Sequence, residues 1–410
     1  MTAPSSLDLR EVDAADVYID DNLAARLVRQ RGDRVSFDYV DDDAVRDWAI
    51  RDHSVSWSLL RSGEYPVVAT GGAVPAFFAG LLPEGVRLGV VTSSTKTSAD
   101  DHLTLLLAVG ADTIGNVRVF PAGADPTRPL PLFDPERDKD FRVVFEKMTG
   151  SVDADPVGLA GVQPKVSAGV LSMPTRTKYG PSILKLAPAQ YPRLVENEHF
   201  FMTMATACGL RAAKTLVLHD AQGRSALLVT RFDRQGPTRI AQEDACQVAD
   251  VYPASKYRIK TETAIATLAD ACARGGGSRV AAVAELLKTV VFSWLIGNGD
   301  LHGKNLSIYN PKGLWQPTPA YDLLCTQPYA GWKDPMALSL YGRANKLSRT
   351  DFIDAGERLG LRQRAIVSMI DGLVGAAEGW PERCGEIGFE DRQTELLAQM
   401  LRARIDSLKE

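Results

Sequence analysis

Three side chains near the middle of the C-terminal half have the types and spacing for one kind of chemistry. Asp300 stands five residues before Asn305, with His302 between them, in Phe292-Ser-Trp-Leu-Ile-Gly-Asn-Gly-Asp-Leu-His-Gly-Lys-Asn-Leu306. A further acid, Asp322, follows seventeen residues after Asn305, in Pro319-Ala-Tyr-Asp-Leu-Leu324. Phosphoryl transfer asks for this set. One carboxylate accepts the proton of the attacking hydroxyl, and an Asn and a second Asp hold Mg2+ on the phosphates of ATP. Singly, each of these residues is an ordinary cap or turn former. Together, each set in an apolar run, they have a better explanation as base and metal ligands. His302 reads as a buttress of the loop that would also border the ATP site. Lys304 either sits near the γ-phosphate, as a catalytic cation, or is a solvated loop charge.

Phosphoryl transfer also needs a cover for the phosphates and a cation on them. Gly158-Leu-Ala-Gly161-Val162-Gln163-Pro-Lys165 is the candidate cover, because glycines let backbone N–H groups approach phosphate oxygens. The alternative for this run is a plain turn before a strand. Lys185, alone in Ile183-Leu-Lys-Leu186, must snorkel to water or meet a charge. Glu198 lies thirteen residues on, in the following helix, and is the expected partner; Glu196 competes. Thr230, Arg231 and Phe232, before Asp233-Arg234, could offer backbone to a purine edge. A salt-bridged strand end explains them equally well.

These side chains need strands and helices to hold them. Val17–Ile19 and the alternation of Val35, Phe37 and Tyr39 predict strands, and Ala99–Val109 predicts a helix with acids in its first turn. Ser182–Ala187 and Ala226–Phe232 read as strands, and Glu196–Gly209 as a helix with Phe201, Ala205 and Cys208 on one stripe. Helical periodicity then covers Thr261–Ala273, Val280–Ile296, Ser348–Leu359, Gln363–Ala377 and Asp391–Leu408, with Gly275-Gly-Gly277 expected as a flexible joint. Composition shifts at the Pro-rich stretch Phe120–Pro131 and near Arg234–Pro237 divide the chain into 1–120, 121–238 and 239–410.

Composition excludes several other readings. Apolar residues make up 45% and charged residues 24%, as in globular proteins, and the net charge of −4 advertises no general nucleic-acid surface. The five cysteines and five histidines show no ligand spacing, which suits a reducing cytosol. No basic, apolar leader opens the sequence and no apolar run reaches membrane length, so a cytoplasmic protein without membrane contact is expected.

The residues so far named resemble the HipA family of serine/threonine kinase toxins of bacterial toxin–antitoxin modules. Phe77-Phe-Ala-Gly-Leu-Leu-Pro-Glu-Gly85 is similar to its Phe-Phe-x-x-Leu-Leu-Pro motif, and Asp112-Thr-Ile-Gly115 to its Asp-x-x-Gly turn. Gly161-Val-Gln-Pro-Lys165, Glu198, Arg231-Phe-Asp-Arg234, Gln242–Gln247, Gly299–Asn305 and Tyr321-Asp-Leu323 follow in family order. The resemblance implies an α+β, bilobal, phosphoinositide-kinase-related fold with an extra N-terminal α/β subdomain and an all-helical C-lobe. It implies ATP and Mg2+, a HipB-like helix-turn-helix antitoxin, and DNA contact mainly through that antitoxin. It also implies a protein substrate, an aminoacyl-tRNA synthetase, whose phosphorylation halts growth. One position departs from the family: Gly158 stands where many members carry an autophosphorylated Ser that switches the kinase off. Two other readings compete, a catalytically weak ATP-binding scaffold for the antitoxin and a small-molecule phosphotransferase.

Overall fold

Alternating apolar residues build the first unit of the fold. The computed structural model of the chain describes residues 8–40, 54–126, 139–141, 143–144, 170–177, 180–188 and 190–410. Strands β1 (Ala14–Ile19), β2 (Asn22–Gln30), β3 (Arg34–Tyr39), β4 (Val67–Ala69) and β5 (Val117–Pro121) form an antiparallel sheet in the order β4-β3-β2-β1-β5. Val17, Leu27, Val35 and Phe37 point from it into a core shared with Phe77, Phe78, Leu103 and Leu106. Those partners lie on α1 (Ala76–Gly80) and α3 (His102–Val109); α2 (Gly85–Thr95) runs between them. Asp101 caps α3 by accepting the Thr104 N–H, so the acid expected in its first turn acts as the cap.

A second antiparallel sheet follows. It joins β6 (Leu171–Thr177), β7 (Gly180–Leu186), β8 (Thr215–His219) and β9 (Ser225–Thr230) in the order β6-β7-β9-β8. The crossover between β7 and β8 is α4 (Leu194–Ala207), and the expected stripe of Phe201, Ala205 and Cys208 is buried. Beyond it, a tight hairpin of β10 (Arg234–Gln235) and β11 (Thr238–Arg239) leads to β12 (Gln242–Asp244) and α5 (Ala245–Val248).

The C-terminal part is built on α6 (Thr261–Arg274) and α7 (Arg279–Leu295). Strands β13 (Ser307–Tyr309) and β14 (Gln316–Pro317) come next, then the short α8 (Gln327–Ala330). Helices α9 (Arg349–Arg358), α10 (Gln363–Ala377) and α11 (Asp391–Lys409) complete it. One core cluster runs through α4, α6, α7 and α9–α11. This lobe is not all helix: β12, β13 and β14 pair into a small antiparallel sheet beside the loop that carries Asp300 and Asn305. Its strands have two or three residues each, too few to show a two-residue period in sequence.

Gly275–Gly277 is a packed joint rather than a flexible one. A Cβ on Gly275 would lie 2.2 Å from the Trp315 ring, and one on Gly277 would lie 2.0 Å from the Trp315 carbonyl oxygen. Trp315 also donates its N–H to Gly275 O at 3.2 Å. The glycines admit an aromatic side chain against the backbone.

Candidate active site

The catalytic loop leaves the end of α7 and is held at each step by its own polar groups. Gly299 donates its N–H to Thr326 Oγ1 at 2.9 Å, and a Cβ at Gly299 would sit 2.0 Å from Asp334 Oδ2. Only glycine fits there. Asp300 donates its N–H to Asn298 Oδ1 at 2.9 Å, and Asn298 Nδ2 reaches Asp322 O at 3.3 Å. The buried Asp300 carboxylate accepts a 2.8 Å hydrogen bond from the Tyr257 hydroxyl. His302 donates its N–H to Asn305 Oδ1 at 3.1 Å, while the Asn305 N–H returns to His302 O at 2.9 Å. These bonds close one tight turn that fixes Asp300 and Asn305 relative to each other.

Asp322 meets this loop from the other side. Its backbone is left-handed, with φ of 55°, a conformation that Asp tolerates better than most residues and that costs about 1 kcal/mol or more. Buried Leu323 and Leu324 anchor the position from behind. One Asp322 oxygen accepts from Asn305 Nδ2 at 3.1 Å, and the other is bonded by Lys185 Nζ. Lys185 reaches it from β7 and pairs in the same stroke with Glu198 of α4 at 2.6 Å. Burial works against the ammonium, but Asp322 and Glu198 outweigh it and raise the Lys185 pKa, so the side chain stays charged. Of the two acids weighed as its partner, the structure selects Glu198; Glu196 accepts from the Ser225 hydroxyl and faces Arg193.

Lys185 and Glu198 therefore meet the segment that carries Asp300, Asn305 and Asp322 from more than a hundred residues earlier in the chain. Asn and Asp supply the oxygen ligands a hard cation takes; here Asn305 Oδ1 accepts the His302 N–H and the two Asp322 oxygens accept from Asn305 Nδ2 and Lys185 Nζ, bonds that a bound cation would replace. Among the described residues no group of three or more His, Cys, Asp or Glu could hold a metal unaided. A divalent ion at Asn305 and Asp322 would draw its remaining ligands from phosphate and water, the usual habit of Mg2+.

Other expected site residues fall elsewhere. His302 is buried edge-on to the Tyr257 ring, with centroids 5.1 Å apart. Burial, helped by Lys256, drives its pKa down to about 3, so the imidazole is neutral and buttresses the loop. Lys304 is neither solvated nor directed by its contacts to a γ-phosphate. It is largely covered, donating to Gly80 O at 2.9 Å and pairing with Glu84 at 3.2 Å. The reason is that the N-terminal subdomain packs over this side of the loop.

The side chains of Arg231, Asp233 and Arg234 form the salt bridges of one of the two readings. Arg231 binds Asp233 at 2.7 Å and Asp112 at 3.1 Å, and Arg234 and Arg239 reach Asp112 at 2.9 and 3.0 Å. Asp233 also accepts the Gly115 N–H. Thr230 and Arg231 give their N–H groups to Lys214 O and Pro181 O, so neither N–H is a purine donor. Phe232 packs its ring against Tyr309 and Tyr321. Gly158, Gly161, Val162, Gln163 and Lys165 lie outside the described residues.

Four contributors escaped the sequence reading. Tyr257 and Lys256 precede the loop with no motif around them. Asn197 stood unremarked beside Glu198, yet its side chain brackets Cys325, donating to its carbonyl at 2.8 Å and accepting its N–H at 3.0 Å. Glu84 was visible in the Leu-Leu-Pro-Glu run without a role.

Comparison with known proteins settles the relationship. The family model described as HipA-like C-terminal domain matches residues 157–380, over half of the chain, and that of the HipA N-terminal domain matches residues 15–120. The chain belongs to the HipA family. Among HipA relatives, Y4dM of Sinorhizobium fredii, named as a kinase, is 33% identical over 316 residues, covering 72% of this chain and 73% of that protein. Y4mE of the same organism, also named as a kinase, is 30% identical over 326 residues, covering 73% and 77%. The serine/threonine-protein kinase toxin HipA of Shewanella oneidensis is 27% identical over 326 residues, covering 72% of each. A solved chain from the Shewanella oneidensis complex of HipA, HipB and operator DNA superimposes with a TM-score of 0.72 at 22% identity, over 96% of both chains. The HipA kinase-like fold thus covers 96% of the chain, and the chain is a kinase of this family.

Proposed function

We propose that this chain transfers the γ-phosphoryl group of Mg-ATP to a serine or threonine hydroxyl of a protein. The observation that carries the reading is the meeting of Lys185, Glu198, Asn305 and Asp322 beside Asp300. In the reaction Asp300 accepts the proton of the attacking hydroxyl, and Tyr257 orients its carboxylate. Lys185, held by Glu198, supplies positive charge to the phosphates. Asn305 and Asp322 would hold Mg2+, which when bound neutralises charge on the phosphate oxygens. The buried, neutral His302 keeps the turn rigid through its backbone.

The same reading makes the chain the toxin of a toxin–antitoxin pair, restrained by a HipB-like helix-turn-helix protein and reaching DNA through it. Its substrate is an aminoacyl-tRNA synthetase, and its place of work is the cytoplasm. The family relationship and the likeness, over 96% of the chain, to a HipA chain solved with HipB and operator DNA support the antitoxin and DNA part of this reading; the synthetase and the cytoplasm rest on the family resemblance. Incubating the purified chain with γ-labelled ATP, Mg2+ and a bacterial extract tests the reaction class. Label on Ser or Thr of a discrete protein supports the reading; label confined to small molecules contradicts it.

A further inference from the structure

We propose that Glu84, from the N-terminal subdomain, is a positioning residue of the kinase site that grips the catalytic loop on both sides. The side chain has been released for this work. Glu84 occupies the N-cap position of α2 but makes no capping hydrogen bond to its own helix. Its carboxylate is instead turned outward, one oxygen to Lys256 and the other to Lys304.

Each lysine leads to a different part of the site. On one side, Lys256 accepts the Gly303 N–H on its carbonyl at 3.0 Å, and its neighbour Tyr257 donates to Asp300. Holding Lys256 therefore holds the orienting group of the base. On the other side, Lys304 immediately precedes Asn305. Its carbonyl accepts from the Tyr321 hydroxyl at 2.6 Å, next to Asp322. Holding Lys304 therefore holds both metal-binding positions.

The surrounding backbone is shaped for this approach. Gly80 accepts from Lys304 Nζ, and a Cβ on Gly80 would lie 2.7 Å from the Gln247 side chain, so only glycine lets α1 come this close. Gln247 in turn donates to Phe77 O at 3.0 Å. Gly303 is closed in likewise, since a Cβ there would meet Cys246 Sγ at 2.7 Å. Without the Glu84 charge, Lys256 and Lys304 would lose the carboxylate they share, Lys304 would keep only the nearby Asp244, and the loop would shift to rehydrate the two cations.

The test uses the full chain carrying Glu84→Gln, with Glu84→Asp as the conservative variant and the exposed Glu64→Gln as control. It has two arms. The kinetic arm rests on the phosphoryl-transfer reading: kcat of Glu84→Gln should fall roughly tenfold to a hundredfold, with KM for ATP moving less than about twofold. Glu84→Asp should fall between, and Glu64→Gln should match the parent. The second arm needs no activity. Hydrogen exchange of a peptide spanning 297–306 should quicken in Glu84→Gln while exchange in α6 stays unchanged. Unchanged exchange in 297–306, or a kcat within about twofold of the parent, overturns the proposal. A parent that transfers no phosphate defeats the functional reading, and the exchange arm alone then decides the role of Glu84.

Discussion

At the residue scale, the site brings charged groups into direct contact, with Lys185 between Glu198 and Asp322. Asp322 lies between Asn305 and Lys185, and its carboxylate supplies the negative charge expected to draw Mg2+ to the phosphates. Asp322→Ala should weaken ATP binding about tenfold or more when Mg2+ is present and much less when it is absent. Calorimetric titration with and without Mg2+ measures the difference, and an unchanged Mg2+ dependence would assign the metal to another acid. Most of this constellation was legible in sequence, because the Asp-x-His-x-x-Asn spacing is local and chemical. Lys304 was not. Its environment is set by Glu84, 220 residues earlier, and no local pattern reports such a contact.

At the element scale, α4 orients the site from two adjacent residues. Glu198 holds Lys185 on β7, and Asn197 holds Cys325 just beyond Asp322. Asn197 is fully buried, so Asn197→Ala should leave a backbone N–H and carbonyl without partners. The expected cost is about 2–4 kcal/mol, read as a lower urea midpoint with an unchanged slope. A midpoint equal to that of the parent would show that the clip carries no weight. The long helices after residue 260 were readable to within a residue, and Gln363–Ala377 was expected and found, because periodicity and caps are local signals; the helix expected at Ala99–Val109 begins only at His102, and Gly85–Thr95 was not expected. The β12-β13-β14 sheet was not, since its order comes from tertiary pairing. Gly275–Gly277 misled for a related reason: glycine permits both mobility and close packing, and only Trp315 decides between them.

At the scale of the whole molecule, the N-terminal subdomain is fastened to the kinase by buried charge. Asp112 gathers three arginines from the segment following β9, and Glu243 accepts from Ser56 Oγ at 2.6 Å and from the Trp57 N–H at 3.0 Å. Burial pushes the Glu243 carboxyl up to about 8, against the pull of those two donors, with Asp244 nearby adding to the rise. A carboxyl raised on folding stabilises below its unfolded pKa. That contribution is lost as pH rises towards its folded value. Glu243→Gln keeps a neutral side chain of the same shape. Its stability relative to the parent should therefore climb between about pH 5 and pH 8 and then level off, as read from melting temperatures across that range. A flat difference would mean that Glu243 is ionised throughout. The family motifs near the N-terminus find their physical meaning in this seam: Phe77–Gly85 and Asp112–Gly115 are among the places where the subdomain touches the kinase.

The central claim is that Asp300 is the base of a phosphoryl transfer whose nucleotide is held by other residues. Single-turnover transfer by Asp300→Asn, alongside calorimetric ATP binding by the same protein, tests it most directly. The account predicts transfer slowed by roughly a hundredfold to ten-thousandfold, with ATP affinity in Mg2+ within about threefold of the parent. Transfer at the parental rate would contradict it.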